Sequence, residues 1–188
     1  MLNPRTMTLV TMVLAAAVTR VIPHPWNFTA VGAMCLFGGA MFHRRWAALA
    51  VPMIALLVSD IAIAYFQYGG DLSSITLFKY VLFAAMVGMG MLLRGRATPA
   101  NVGGMAVAAS AMFFIASNFE YWLTGGLYPL TPGGLLTCYI AAIPFDQNTL
   151  YANLFYSAVL FGGLHLLQRQ WPSLQGQWTP EPAVLKAW

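Results

Sequence analysis

Six apolar runs limit what this chain can become. Residues 6–22, 28–42, 46–67, 73–94, 101–124 and 149–169 carry very few charges and take up most of the 188 residues. A helix needs roughly 20 apolar residues to cross a hydrocarbon core about 30 Å thick, and in lipid it satisfies its own backbone N–H and C=O groups. The expected fold class is therefore an all-α membrane protein of six transmembrane helices. Composition agrees: 60% of residues are hydrophobic and 7% charged, against roughly 25% charge in soluble domains. The formal charge of +4 does not indicate nucleic acid, because the basic residues are scattered at segment ends and form no patch.

The runs differ in character. The second is short and holds Gly32, Gly38 and Gly39, small residues that let neighbouring helices approach closely, so an internal position is expected. Between the fifth and sixth runs, the stretch 134–144 is apolar but too short to span, and Pro129, Pro132 and Pro144 bracket it. The expectation is a short interfacial or re-entrant element over 127–147. Cys35 and Cys138 belong to different segments, which argues against a disulfide framework. One transmembrane domain over 1–170 is expected, followed by a cytoplasmic tail over 171–188 whose Trp171, Trp178 and Trp188 suit the membrane interface.

Orientation follows from Lys and Arg. With a cytoplasmic N-terminus, the inner side holds seven (Arg5, Arg44, Arg45, Arg94, Arg96, Arg169 and Lys186) and the outer half two, Arg20 and Lys79. Both termini are then cytoplasmic, in the inner (cytoplasmic) membrane. An alternative reads the first run as a secretory signal, with Arg5 ahead of an apolar stretch ending in Ala15, Ala16 and Ala17.

Four of the five acidic residues, Asp60, Asp71, Glu120 and Asp146, fall on the outer side. An ionised group within an apolar run is costly unless it is paired or faces a wet cavity. Helical rise places Arg20 and Asp60 about 21 Å above the inner surface and Asn118 and Glu120 about 26 to 28 Å above it, with Lys79 and Asn153 about 6 to 9 Å below the outer one. Around this level lie His24, Trp26, Asn27, Tyr121, Trp122, Tyr128, Asp146 and Asn148. Aromatic walls with a few convergent polar groups compose a small-molecule site. The candidate substrate-binding residues are Arg20, His24, Trp26, Asn27, Asp60, Lys79, Asn118, Glu120, Tyr121, Trp122, Asp146 and Asn148. The competing reading makes Arg20 with Asp60, or Lys79 with Glu120, structural ion pairs, and Asn118 and Asn153 interhelical hydrogen-bond partners.

The run from Asn27 to Ala40, then Pro52, Ser59-Asp60-Ile61, Ser117-Asn118-Phe119 with Trp122, and Ile143-Pro144-Phe145 resembles an uncharacterised family of prokaryotic six-helix membrane proteins. More distantly, helix count, size and orientation look like the substrate-binding S component of energy-coupling-factor (ECF) vitamin transporters, a fold-level analogy. That resemblance implies capture of a vitamin-like small molecule in an outward cavity by a protein set in the lipid bilayer, with a transmembrane coupling protein and two ATPases as partners. The chain has no Gly-x-x-x-x-Gly-Lys-Ser/Thr loop of its own. Nor does it carry Gly-x-Ser-x-Gly, His-Glu-x-x-His or Cys-x-x-Cys, and His24, His43 and His165 lie at different depths, so neither an enzyme, a cofactor nor a metal site is expected. The alternative function is a structural or accessory subunit of a larger membrane complex, for which the glycine-rich second and fifth runs would supply close packing.

Overall fold

A computed structural model describes residues 3–73 and 75–176; Trp178, Trp188 and Lys186 of the expected tail lie outside the described residues. The described chain is all helical: α1 (Pro4–Val18), α2 (Val31–Met41), α3 (Arg45–Gln67), α4 (Leu77–Met91), α5 (Pro99–Thr124), α6 (Pro132–Ser157), a π turn (Ala158–Gly162) and α7 (Gly163–Gln170), with a 3-10 turn at Pro172–Leu174. Three helices are long and apolar enough to cross a membrane: Arg45–Gln67, Pro99–Thr124 and the continuous Pro132–Gln170. The apolar helices α1, α2 and α4 are shorter. Large apolar side chains on the outer faces, among them Ile54, Phe66, Val81, Ile115 and Leu136, are exposed, as suits contact with a lipid bilayer.

α2 is the centre of the bundle. Every residue from Val31 to Met41 is buried, and a helix apolar on all sides belongs inside. The internal position expected from its glycines is what the structure shows. A Cβ on Gly38 would strike the Pro52 ring of α3, one on Gly39 the Val87 carbonyl of α4, and one on Gly90 the Leu36 carbonyl of α2. Here α2 and α4 meet backbone to backbone, which only glycine permits. Val31 and Gly32 at the start of α2 border the same space as Phe83 and Met86, while Arg94 just after α4 reaches Gly39 and Phe42 at the end of α2, so α4 runs parallel to α2; Gly38 lies against Ala48 and Pro52 near the start of α3, which the short link after α2 turns back antiparallel. The second half of α6 is parallel as well: the Asn153 amide sits against Gly32, and the Phe37 and Phe161 rings meet edge to face at 5.3 Å.

The last carbonyls of a helix have no intrahelical donor. For α2 two arginines provide them. Arg94 donates from Nε to the Gly39 carbonyl (3.0 Å) and from Nη2 to that of Phe42 (3.0 Å). Arg5 donates from Nη2 to Met41 (3.3 Å) and from Nη1 to Leu174 (2.8 Å). Cations also suit the negative end of the helix dipole. With Arg44 and Arg45 opening α3 just beyond Phe42, one end of the bundle is strongly basic.

The expectation of a separate interfacial or re-entrant element over 127–147 is overturned. Thr131 caps the helix by accepting from the Gly134 amide (3.1 Å), Pro132 occupies the first helical turn, where proline is favoured, and the helix continues through Pro144 and the π turn to Gln170. Apolar helices absorb an internal proline when packing re-satisfies the freed carbonyl; Pro52 inside α3 is a second example. Asp146 and Asn148, expected on a loop, therefore project from α6. At other boundaries the helices are shorter than expected: α1 stops at Val18, leaving Arg20 in the turn beyond it, and α4 starts at Leu77, placing Lys79 in its first turn.

Pro144 has a geometric consequence. Tyr139 donates to the Ile115 carbonyl (2.7 Å) and Asn153 to Ser110 Oγ (2.7 Å). Between these two ties lie about 21 Å of α6 but only about 7.5 Å of α5. The helices cannot stay side by side over that stretch, and α6 inclines away from α5 around its proline.

Candidate functional site

The space opened between α5 and the inclined part of α6 is a cavity of about 710 Å³, within the range typical of ligand pockets. Phe113, Ser117, Asn118, Glu120 and Tyr121 of α5 form one wall, and Cys138, Ala141, Ala142, Phe145, Asp146 and Thr149 of α6 the other. Leu127 and Tyr128 close the hairpin end, Lys79 enters from α4, and Trp26 and Asn27 come from the loop after α1. Tyr121 and Tyr128 meet edge to face at 6.5 Å. The chamber thus offers aromatic surface, two carboxylates and one ammonium to a small molecule.

A second cavity of about 110 Å³ adjoins it, sharing Asn27, Phe113 and Thr149 as lining and adding Arg20, Thr29, Val31, Gly32, Phe83, Met86 and Asn153. It borders the N-terminal end of α2, whose N-cap, Ala30, makes no side-chain capping bond. The loop above is pinned to α6 by Asn148 Nδ2 on the Trp26 carbonyl (2.9 Å) and by Asn27 Nδ2 on that of Phe145 (3.5 Å). Asn27 has φ of 61°, the left-handed region that asparagine enters more readily than most residues. A residue in that conformation, lining both cavities, marks the loop as shaped for the site.

Of the twelve candidate residues, Trp26, Asn27, Lys79, Asn118, Glu120, Tyr121 and Asp146 line the large chamber and Arg20 the small one. The other four line neither. Asp60 accepts from Arg20 Nη2 on Oδ1 (2.6 Å) and from the Tyr80 hydroxyl on Oδ2 (2.9 Å), while Arg20 Nη1 also bonds the Ser59 hydroxyl. This cluster ties the turn after α1 to α3 and α4, so for Asp60 the structural ion pair is the reading the geometry supports. His24 is exposed, with Nδ1 2.9 Å from the Pro25 carbonyl. Trp122 donates from Nε1 to the Pro129 carbonyl (2.9 Å), fastening the α5–α6 hairpin, and Asn148 holds the loop as described. Of the two asparagines expected to bridge helices, Asn153 does so through Ser110, whereas Asn118 donates to Phe114 within its own helix (2.8 Å).

Phe113, Ser117, Phe145 and Thr149 belong to the lining but are not among the candidate site residues; Ser117 and Phe145 enter the sequence reading only through the family motifs. A helix read back through Pro144 would have found Thr149: Asp146, Thr149 and Asn153 recur at i, i+3 and i+7, one face of a helix. Asp71 stands apart on the α3–α4 loop. The Ser73 backbone N–H and hydroxyl, both 2.8 Å away, hold its carboxyl below the usual range. Cys35 and Cys138 are buried and free. Among the described residues no group of three or more His, Cys, Asp or Glu gathers to hold a metal ion.

No curated protein and no solved structure matches the chain. The sequence pattern of a family of unknown function, DUF6580, matches residues 1–174, and the chain belongs to that family.

Proposed function

We propose that this protein captures a vitamin-like small molecule from the outer side of the cytoplasmic membrane for uptake, in the manner of an ECF-type S component. The large chamber carries the reading: about 710 Å³ walled by Trp26, Phe113, Tyr121, Tyr128 and Phe145, with Lys79, Glu120 and Asp146 as polar groups. In this reading all six helical runs cross the bilayer, α6 and α7 together forming the sixth crossing. The arginine-rich end around Arg5, Arg44, Arg45 and Arg94 is cytoplasmic, as the positive-inside rule requires, and both termini share that side. The chamber, at the opposite end of α2, then faces outward. Uptake would rest on a transmembrane coupling protein and two ATPases, since the chain has no phosphate-binding loop of its own.

The test is mass spectrometry of small molecules released from gently purified protein, followed by thermal denaturation with and without the molecule found. Capture predicts a stoichiometric small molecule whose stabilising effect falls in Glu120→Gln and Tyr121→Ala while the unliganded melting temperature stays within a few degrees. A stoichiometric large protein partner with no small molecule would overturn capture in favour of an accessory subunit. Reporter fusions near Asp71, expected outside, and near Arg96, expected inside, test the orientation; the reverse result would turn the chamber to the cytoplasm.

A further inference from the structure

The small cavity holds an arrangement of donors and acceptors that the large chamber lacks. The donors are the first amides of α2, at Val31 and Gly32, which have no intrahelical partner and no side-chain cap; Arg20 lines the same cavity. The acceptor is Asn153 Oδ1. Ser110 donates its hydroxyl proton to the Ala106 carbonyl (3.0 Å), so its oxygen must accept from Asn153, which fixes Nδ2 towards Ser110 at 2.7 Å. Oδ1 is thereby turned to Gly32 and the cavity. The Asn153 side chain belongs to a residue only 2% exposed, and its oxygen has no hydrogen-bond partner among the described residues. Such an acceptor gains from a donor brought into the cavity. A cavity of about 110 Å³ has room for about three or four waters at roughly 30 Å³ each, or for one group of amide size.

We infer that the small cavity is a recognition subsite for a lactam or amide edge, a C=O with its neighbouring N–H, carried by a flat ring system that occupies the aromatic chamber. The ligand carbonyl accepts from the α2 amides. Its N–H donates to Asn153 Oδ1. A free carboxylate or phosphate would meet the amides equally well but would set a second acceptor against the Asn153 oxygen, so charge alone is not what the subsite selects. The inference rests on the capture reading and names the ligand class within it.

The experiment compares 2-quinolone with N-methyl-2-quinolone, which keeps the rings and carbonyl but has lost the N–H. Both are titrated into the full chain in lipid nanodiscs, with empty nanodiscs subtracted. A site built to pair a donor rejects the analogue lacking it, so 2-quinolone is expected to bind about tenfold more tightly. That ratio should fall to near one in Asn153→Leu. Should Asn153→Leu not fold, Thr149→Leu fills the small cavity from its mouth without touching the Asn153–Ser110 bond, and the same collapse is expected. Equal affinities in the unaltered protein, or a ratio that survives both substitutions, would overturn the subsite while leaving capture standing. Binding of neither probe would also overturn it, and the release experiment then decides separately on capture.

Discussion

At its C-terminal end α2 gives the carbonyls of Gly39, Met41 and Phe42 to Arg94 and Arg5, whereas at its N-terminal end the amides of Val31 and Gly32 border a cavity. The same backbone physics, four orphan groups at each helix end, meets opposite treatment. At one end long side chains fill the space with donors and complement the dipole. At the other, the neighbouring cation is already committed to Asp60, and no side chain caps Ala30. A central helix held firmly at one end and left open at the other leaves room for a cavity without giving up the core of the bundle.

Substitutions can break this contrast. The largest effect is expected from Asp60→Asn, which strands the Arg20 guanidinium beside the open end and weakens the Tyr80 bond. A loss of about 3 kcal/mol, at the lower end for breaking a buried pair because the site is partly solvated, should appear in thermal unfolding in detergent. A change within 0.5 kcal/mol would remove Asp60 from the framework of that end. Next comes Arg5→Met at the closed end, with about 2 kcal/mol expected from losing charged bonds to buried carbonyls; equal stability would mean that the cap there is incidental. Gly39→Ala should cost about 1 to 2 kcal/mol, because its Cβ meets the Val87 backbone rather than a movable side chain. The smallest effect lies outside the bundle. Ser73→Ala should raise the Asp71 carboxyl towards its ordinary value in an NMR titration, since the hydroxyl bond that favours the anion is gone. The folded pKa is the depressed one, so the stabilisation exists above the ordinary carboxylate value and is lost as pH falls through the lowered one.

What could be read from the sequence divides along the same line. The buried α2 was legible because Gly32, Gly38 and Gly39 within an apolar run have few uses other than close packing. Much of the large chamber was legible because Lys79, Asn118, Glu120 and Tyr121 share a depth that helical rise alone supplies. α6 was not legible, for a physical reason: proline is a helix breaker in water, where the freed carbonyl has solvent to turn to, and that rule was carried into an apolar setting where continuing the helix is the better option. The error hid the helical phase relating Asp146, Thr149 and Asn153, and with it the small cavity. Asp60 stood between two readings, chamber wall or ion pair with Arg20, for a different reason. Depth along a helix gives height but not azimuth, and its carboxylate turns sideways to Arg20 and Tyr80 rather than into the chamber.

The π turn at Ala158–Gly162 carries Phe161 against Phe37 and lies between the residues of α6 that border the cavities and the buried Leu164 of α7. An α-helix advances by about 100° per residue, and a π turn takes up residues beyond that periodicity. Deleting one residue there would return the turn to α-helical periodicity and leave Asp146, Thr149 and Asn153 at nearly the same azimuth relative to Leu164, whereas the same deletion in a plain α-helical stretch would rotate them by about 100°. The turn therefore acts as an angular buffer. A residue gained or lost between 158 and 162 disturbs the cavity-facing groups of α6 least, so this is where the helix tolerates a change of length.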